Sequence, residues 1–368
     1  MEERENVAAA VTPGSIRARK VLNVLGKIGI VLVETVLLVV IALYGVMFML
    51  AKGPSPTARD LFVCSVRETS AIGWLANLYF SDEEIARIEN RKTVEDFIET
   101  DTSLIQFPTE PAEDSDAENQ GPTPDEWGLI DEDGDGIIVE PVKGEGYAGY
   151  MMVVLDPSRV IVGCDPNSFY QRGYTVEEMV LAFDAVAGTN AGGFDDPDGN
   201  GNGSIPDTLV VFEGEVYCEG YGTRTGFVGF DSNHIMHVAH RITRAEIEEK
   251  DIQYGVCFGP VLIANGVPCE LSASGVNPRT AIGQRSDGAI LMLVIDGRQV
   301  ISMGATMADL TDIMMEYGAV NACNLDGGSS TLMWYQGDYV NNCASVVGIR
   351  PVPTAILVLK EGVSSDAE

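Results

Sequence analysis

The hydrophobic pattern divides the chain into one long apolar segment and many short apolar runs. From Ile28 to Leu50 every residue is apolar or glycine except Glu34, Thr35 and Tyr44. A helix over this segment would be about 35 Å long at 1.5 Å per residue, which is enough to cross a bilayer. We therefore predict a transmembrane helix at residues 28–50 and a cytoplasmic tail at residues 1–27.

The basic residues around this segment indicate its orientation. More lysine and arginine side chains precede the span than follow it: Arg17, Arg19, Lys20 and Lys27 against Lys52 and Arg59. The positive-inside rule then places the N-terminus in the cytoplasm and the rest of the chain outside. Residues 50–54 contain no small-residue cleavage pattern, so we expect a retained anchor and a single-pass protein of the cell membrane.

Three regions are expected beyond the span. Residues 51–107 contain a capping box, Ser81 with Glu84, and predict a helical stalk. Residues 108–124 are rich in proline and acidic side chains without apolar periodicity, as in a linker. The remaining residues, 125–368, are predicted to form the functional domain.

Short apolar runs separated by Gly, Asp and Asn predict a sheet-rich domain. The predicted strands cover residues 150–155, 160–162, 209–212, 261–263, 290–295 and 355–359, and the predicted helices cover residues 175–187, 243–249 and 306–317. The fold class is therefore α+β, with helices inserted into a mixed, mostly antiparallel sheet core.

The charge distribution excludes some partners. The net charge is −32, and the stretch from Glu95 to Glu140 contains 16 acidic residues and no lysine or arginine. Such a stretch repels nucleic acid and anionic surfaces, so we expect no nucleic-acid partner. An anionic substrate would need local arginine side chains.

Two polar segments carry candidate chemistry. In Asn324–Thr331, Asp326 stands beside Gly327 and Gly328, which allow close backbone approach, and beside the hydroxyls of Ser329 and Ser330. In Asn277–Gly283, Arg279 offers a planar guanidinium that fits a phosphate or carboxylate. An ordinary acidic turn and a structural arginine remain the alternatives.

These segments occur in an order that resembles the phosphodiester glycosidase family. The matching motifs are Asn190–Phe194, Phe258–Pro260, Asn277–Gly283, Asp296–Arg298, Asn324–Ser330 and Arg350–Val352. The resemblance covers about Tyr147 to Leu359, and it departs from the family at Ala191, where many relatives have glycine. It implies hydrolysis of the bond between a sugar anomeric carbon and a phosphodiester oxygen.

For this chemistry we predict Asp326 as nucleophile or base, with Asp296 as its partner carboxylate. Arg279 would neutralise the phosphate, because the reaction needs charge neutralisation and stabilisation of an oxocarbenium-like transition state. Arg298 is either a second phosphate contact or part of an ordinary Asp-Gly turn.

Sugar contacts are predicted from the asparagines of the same motifs. Asn190, Asn277 and Asn324 would bind sugar hydroxyls or an acetamido group. Gly193 and Asp195 are expected to line the pocket, with the following Gly/Asn/Asp-rich loop, residues 195–203, beside it.

An acidic loop and a group of histidines are the candidates for a metal site. The acidic side chains of Asp131, Asp133 and Asp135 follow the start of an EF-hand pattern, but position 12 is Val142, which excludes a true EF-hand and leaves an irregular calcium site open. His234, His237 and His240 are spaced poorly for zinc. The seven cysteines lack CxxC spacing and are expected to be mostly buried thiols.

The sequence thus predicts a membrane-anchored, extracytoplasmic hydrolase that cleaves a sugar-1-phosphate diester in a cell-envelope glycan and requires no cofactor. The phosphate-containing glycan would be its partner, and the oligomeric state stays open. One alternative is a non-catalytic protein that binds glycan phosphates during exopolysaccharide or teichoic acid assembly. Another is a hydrolase that cuts the P–O bond with a divalent ion.

Overall fold

The computed structural model describes residues 13–69, 72–89, 98–108, 123–196, 201–218, 226–345 and 348–362, with side chains from residue 21 onward. The chain divides into two compact units, Met1–Arg59 and Asp60–Glu368. Most of the predicted stalk therefore belongs to the same compact unit as the sheets. Residues 109–122 of the predicted linker lie outside the described residues.

The first unit contains one long helix, α1 (Pro13–Lys52). Its segment Val21–Lys52 is long and apolar enough to cross a membrane. Large apolar side chains such as Leu22 and Leu38 are exposed along it. The predicted membrane-length apolar helix is confirmed, and it extends further toward the N-terminus than residue 28.

The second unit begins with short helices. These are α2 (Pro56–Arg67), which starts just before the unit boundary, a 3-10 helix at Gly73–Leu78, and α3 (Asp82–Glu89). The capping box before α3 is present, because the Ser81 amide donates to Glu84 and the Glu84 amide donates to the Ser81 hydroxyl. Arg67 Nε donates to Glu89 Oε1 at 3.3 Å and joins α2 to α3.

Seventeen strands in the described residues form three sheets, and their pairings are antiparallel. They are β1 (Ile137–Gly144), β2 (Tyr147–Val154), β3 (Val160–Gly163), β4 (Ala185–Asn190), β5 (Val210–Phe212), β6 (Glu215–Tyr217), β7 (Phe227–Asp231), β8 (Met236–Ala239), β9 (Ile252–Cys257), β10 (Val261–Ala264), β11 (Val267–Pro268), β12 (Arg279–Arg285), β13 (Ile290–Ile295), β14 (Ala319–Leu325), β15 (Met333–Tyr335), β16 (Asp338–Tyr339) and β17 (Ala355–Leu359).

The largest sheet has seven strands in the order β1-β2-β13-β12-β14-β10-β11. Two five-stranded sheets follow the orders β16-β15-β4-β17-β3 and β6-β5-β9-β7-β8. Each apolar run predicted as a strand contributes to one of these sheets. The predicted α+β class with antiparallel sheets is confirmed.

Three further helices connect strands: α4 (Val176–Ala182), α5 (Arg244–Glu249) and α6 (Met307–Glu316). Each begins with a capping box headed by a threonine, which satisfies amides of the first turn. The helix predicted over residues 175–187 was too long. The chain turns at Asp184, whose φ is +51°, and Ala185 already belongs to β4.

The core lies on both faces of the seven-stranded sheet. Along β13, Leu291 and Leu293 pack in one buried cluster with Leu310 of α6. Met292 and Val294 point the other way, into a cluster that contains strand β17 of the second sheet. A strand covered on both faces reads as a continuous apolar run, which explains the sequence of residues 290–295.

Candidate active site

The candidate site lies at one edge of the seven-stranded sheet. Arg279 opens β12 and pairs with Ile295, the last residue of β13, while Thr280 pairs with Leu325, the last residue of β14. Because β12 runs antiparallel to both neighbours, its start meets their ends. Arg279 therefore lies at the same end of the strands as Asp296 and Asp326, which directly follow β13 and β14.

The loop after β14 is held close to the Asn-Pro-Arg segment. Gly328 N–H donates to the carbonyl of Pro278 at 2.9 Å, and a Cβ on Gly327 would lie 2.7 Å from that oxygen. Gly328 also has a φ of +61°, which favours glycine. The two glycines thus allow this close approach, although the Gly328 amide is engaged within the protein. Asp326 is half-buried.

Asn190 and Asn324 are buried and hydrogen-bonded to the protein. Asn190 Nδ2 donates to the Asp326 carbonyl at 2.5 Å, and its Oδ1 accepts from the Thr280 hydroxyl at 2.9 Å. Asn324 Nδ2 donates to the Gly259 carbonyl at 2.7 Å. The Asn190 side chain thus holds the backbone of Asp326, and the Asn324 side chain holds the neighbouring segment at Gly259. Their predicted contacts with sugar stay predictions.

Asp296 is 4% exposed, and its carboxylate accepts three hydrogen bonds. The donors are Asn341 Nδ2, the Asn342 amide and Asn342 Nδ2, each at 3.0 Å. This arrangement ties the end of β13 to residues 341–342. The contacts give Asp296 a positioning role, and its role as partner carboxylate stays a prediction.

Arg279 is held in a fixed orientation. Its Nε donates to the Ala305 carbonyl at 3.0 Å, and Nη2 donates to the Gly275 carbonyl at 2.6 Å. Nη2 also contacts the Glu68 carboxylate at 2.6 Å. Asn277 lies beside it, and its Nδ2 donates to the same carboxylate at 3.0 Å. A guanidinium oriented in this way can bind an oxyanion with little loss of conformational freedom.

Two further arginines face the loop at residues 327–330. Arg298 Nη2 would lie 3.5 Å from a Cβ on Gly328, and Arg350 Nη2 donates to the Ser329 hydroxyl at 2.8 Å. Part of Arg298 faces solvent, yet desolvation of its guanidinium, followed by the positive charges of Arg279 and Arg350, lowers its pKa. Three guanidinium groups therefore share one neighbourhood, which is suited to a phosphate.

The remaining predicted residues, Ser330, Gly193 and Asp195, donate their amides to backbone carbonyls. Ser330 is buried, and its amide donates to the Gly327 carbonyl. Gly193 is also buried, with its amide donating to the Cys257 carbonyl at 3.4 Å. Asp195 is exposed, and its amide donates to the Ile205 carbonyl at 2.8 Å.

Sequence reasoning missed several residues of the site, among them Glu68, Arg350 and Asp196. Arg350 reaches the loop as described, and its Nη1 also binds Asp196 Oδ1 at 2.8 Å. Asp196, rather than its neighbour Asp195, thus connects to the arginine cluster. The signal for Arg350 was present, because it belongs to one of the motifs that resemble the family, but sequence gave no reason to prefer Asp196.

The acidic loop predicted as a calcium site does bring its carboxylates together. Oxygen atoms of Asp131, Asp133 and Asp135 lie within 4.8 Å of one another. Two of these side chains also accept local hydrogen bonds: Asp131 accepts from the amides of Gly134 and Gly136, and Asp135 accepts from the amide of Ile137. The set of oxygens fits a hard cation. Calcium binding stays a prediction.

The histidines do not form a metal cluster among the described residues. His237 lies on β8, where its Nε2 contacts Asp231 Oδ2 at 3.1 Å. His234 lies in the preceding turn with a φ of +61°. The seven cysteines are all free thiols in the structure. Cys64, Cys164 and Cys323 are buried and the other four are partly exposed, so fewer thiols are buried than the sequence predicted.

Comparison with known proteins connects this geometry to one family. Residues 183–359 match the phosphodiester glycosidase family. The chain is 31% identical to the SPbeta prophage-derived protein YomE of Bacillus subtilis (strain 168) over 207 residues, which cover 52% of this chain. It spans only 31% of the length of that relative.

Two solved structures match parts of the chain. One is the zebrafish N-acetylglucosamine-1-phosphodiester alpha-N-acetylglucosaminidase catalytic domain, described as auto-inhibited by its pro-peptide. It is 17% identical, with a TM-score of 0.50, covering 61% of this chain and 82% of that one. The other is a putative exported protein from Burkholderia pseudomallei K96243, at 17% identity and a TM-score of 0.45, covering 58% and 74%. The residues that resemble the phosphodiester glycosidase family, 183–359, therefore include Arg279, Asp296 and Asp326 of the candidate site.

Proposed function

We propose that the chain is a hydrolase that cleaves the glycosidic bond of a sugar-1-phosphate diester. The observation that carries this proposal is the grouping of Arg279, Arg298 and Arg350 around the loop that begins with Asp326. Three guanidinium groups favour a phosphate-containing substrate over a neutral glycan. Asp326, next to the two glycines of that loop, supplies a carboxylate that a purely anion-binding surface would not need.

The arginines act on the leaving group. When the bond between the anomeric carbon and oxygen breaks, its electron pair moves to the phosphate oxygen, and negative charge grows there. Guanidinium groups fixed beforehand stabilise that charge without reorganising during the reaction. Arg279 is the best oriented of the three, since two backbone carbonyls hold its Nε and Nη2.

Asp326 acts on the sugar. Its carboxylate either attacks the anomeric carbon or takes a proton from the attacking water, and in both cases it stabilises the positive charge of the oxocarbenium-like transition state. Water finally supplies a hydroxyl to the sugar, and its proton passes to the phosphomonoester or to solvent. The products are the free sugar and a phosphomonoester.

Anchoring by α1 would place this reaction at the cell membrane. The excess of basic residues before the apolar segment supports a cytoplasmic N-terminus, with the second unit outside the cell. A phosphate-containing glycan of the cell envelope is then the substrate in reach.

A glycan-phosphate-binding protein is the second candidate, because the arginine cluster alone would suffice for binding. The two candidates differ in what Asp326 does. In a binding protein a carboxylate next to the bound anion weakens affinity by repulsion, so Asp326→Asn would strengthen binding. In the hydrolase the same change removes turnover.

The test uses the full chain in detergent with a panel of nucleoside-diphosphate sugars and simple sugar-1-phosphate diesters, with and without a chelator. We expect free sugar from the parent and none from Asp326→Asn. Sugar phosphate as the product, with loss of activity in chelator, would instead support metal-assisted P–O cleavage. Ligand binding without turnover by either protein would support the binding function.

A further inference from the structure

The loop that follows β13 presents apolar side chains to solvent beside the arginine cluster. Directly after Arg298 and one further residue come Val300, which is fully exposed, and Ile301, which is 75% exposed. The loop is closed beneath them, because the Gln299 amide donates to the Ser302 carbonyl at 2.9 Å and the Ser302 amide donates back at 3.2 Å. The two apolar side chains are therefore held at the tip of a short, hydrogen-bonded loop.

A second group of exposed apolar side chains is connected to the same arginine. Arg298 Nη2 donates to the Thr69 hydroxyl at 3.1 Å, and the Ile72 amide donates to the Thr69 carbonyl at 3.1 Å. Ile72 is exposed, and the 3-10 helix that begins after it carries Trp74, which is 60% exposed. Both groups belong to the second compact unit. Through Thr69, two exposed apolar groups thus meet at one arginine of the candidate site.

The composition of these groups is typical of a surface that is covered in use. Large apolar side chains gain free energy when they leave water, and their gathering on a protein surface marks a contact with another protein or with a membrane. Tryptophan is enriched at the boundary between lipid and water, since its ring is apolar and its N–H is polar. The covering is therefore either a second protein surface or a lipid bilayer.

A bilayer fits better than a second copy of the chain. Each chain has a net charge of −32, so two copies repel each other on close approach. The chain also carries an apolar helix of membrane length that ends at Lys52, and its second unit begins at Asp60, eight positions further on. A segment of eight residues extends at most about 29 Å. A bilayer that holds the helix is therefore always within reach of the second unit.

We propose that the second unit docks on the bilayer through a membrane-docking surface beside the candidate site. Its members are Ile72, Trp74, Val300 and Ile301. They insert into the headgroup region, as the apolar face of an interfacial segment does, and Arg298 then lies at the depth of the lipid phosphates.

Docking at this place deepens the proposed function, on which the choice of substrate rests. The sugar-1-phosphate diester is one whose second alcohol is a membrane lipid, since its phosphate lies at the depth of the docked arginine. Water breaks the bond between the anomeric carbon and the phosphate oxygen and supplies the new hydroxyl of the free sugar. The electron pair of that bond stays on the phosphate, which remains in the bilayer as a lipid phosphomonoester.

Docking is tested with the full chain in phosphatidylcholine vesicles, prepared with and without lipid brominated near the headgroup end of its acyl chains. Bromine quenches the fluorescence of a tryptophan that it contacts. The chain has three tryptophans, Trp74, Trp127 and Trp334, and none lies in the apolar helix. We expect brominated lipid to quench the emission of Trp74, and the quenching to disappear in Trp74→Phe.

Two further variants locate the contact. Adding Val300→Trp to Trp74→Phe should restore the quenching. Adding Val267→Trp instead should not, because Val267 is an equally exposed apolar residue on β11, which pairs with the end of β10 beside the start of β14. These substitutions change exposed side chains, so the fold should be retained. Unquenched Trp74, or quenching through Val267→Trp and not through Val300→Trp, would overturn the docking surface.

The substrate class is tested by activity. In the double variant Val300→Glu, Ile301→Glu, kcat/KM should fall about tenfold on the N-acetylglucosamine-1-phosphate diester of a polyprenyl alcohol in vesicles, because charged side chains do not insert. On the methyl diester of the same sugar phosphate in solution it should be unchanged. Equal effects on the two diesters would overturn the lipid-linked substrate. Quenching of Trp74 without hydrolysis of either diester would support docking and contradict the proposed function, so the two failures are distinguishable.

Discussion

Two buried arginines at opposite ends of β12 show how a structural ion pair differs from a candidate binding group. Arg279 is the first residue of the strand and Arg285 the last. Both contact carboxylates contributed by chain segments that precede β12, Glu68 in one case and Asp125 in the other. Their surroundings differ in what covers the guanidinium.

Arg285 is enclosed. Its guanidinium contacts Asp125 at 2.7 Å and Asp287 at 2.5 Å, and lies 3.8 Å from the centre of the Trp127 ring. The side chain is only 1% exposed. The groups fixed around Arg285 compensate its positive charge and the cost of its desolvation. This arginine therefore stabilises the fold.

Arg279 has a different environment. Among the described residues its carboxylate partner is Glu68, which remains partly exposed, and two further arginines lie in the neighbourhood. Like charges gathered at a sheet edge destabilise the folded chain unless an anion compensates them. The shared positive charge and the partly exposed carboxylate therefore mark the candidate functional end of this strand.

The largest expected effect is on catalysis through Asp326. Asp326→Asn removes the proposed nucleophile or base while preserving size, and we expect kcat to fall on the order of a thousandfold. Release of free sugar from a sugar-1-phosphate diester measures this change. Thermal unfolding of the variant should match the parent, and an active variant would remove Asp326 from the mechanism.

Substitution of Arg285, at the enclosed end of β12, should change the stability of the protein and not its activity. Arg285→Ala leaves two carboxylates and the Trp127 ring without their partner, and we expect a loss of about 3 kcal/mol in the free energy of unfolding. Urea denaturation measures it. The activity of the molecules that remain folded should be unchanged, and a selective loss of activity would contradict the distinction between the two ends.

Substitution of Arg279, at the other end of β12, should lower activity and leave stability almost unchanged. Arg279→Lys keeps the charge but removes the planar fork, so kcat/KM should fall about a hundredfold. The free energy of unfolding should change by less than about 1 kcal/mol, because one of the two contacts to backbone carbonyls can be kept. A stability loss as large as that of Arg285→Ala would place Arg279 with the structural arginines.

Substitution of Asp296 tests whether this residue positions the chain or takes part in the reaction. In Asp296→Asn, the new amide group would face donors of Asn341 and Asn342, and we expect a loss of about 2 kcal/mol in the free energy of unfolding. Asp312→Asn, at an exposed position of α6, is the matched control. A variant with full stability and no turnover would instead support the predicted role as partner carboxylate.

The smallest expected effect is on the pH dependence of stability, through Asp125 at the enclosed end of β12. Burial alone would raise the pKa of Asp125, but the amides of Leu129 and Trp127 and the hydrogen bond and charge of Arg285 together lower it. The stability from this carboxylate is therefore complete above its ordinary pKa of about 3.9 and is lost as the pH falls through the lower folded value. In Asp125→Asn the unfolding free energy should vary less with pH below about 4, and an unchanged pH profile would contradict this contribution.

Much of the fold could be predicted because its signals are local. The apolar run at residues 290–295 identified a strand, which the structure buries on both faces. The capping box of Ser81 and Glu84 identified the start of α3. The end of α4 was misplaced because apolar side chains continue into β4, and only the turn at Asp184 separates the two elements.

Residues of the candidate site could be predicted where they belong to a sequence motif. Residues that reach the site only through the folding of distant segments could not be predicted. Arg279 and Asp326 come from polar segments that stand out between apolar runs. Glu68 is 211 residues from Arg279 in sequence, and no local pattern distinguishes it from the many other acidic side chains of this chain. Such long-range pairs follow from packing, which a single sequence does not display.

The most direct test of the proposed hydrolysis is to run the reaction in water enriched in oxygen-18 and locate the label by mass spectrometry. Attack at the anomeric carbon places oxygen-18 on the released sugar and leaves the phosphomonoester unlabelled, which is the result expected for Asp326 acting with the three arginines. Label on the phosphate would show cleavage of the P–O bond and would contradict the account.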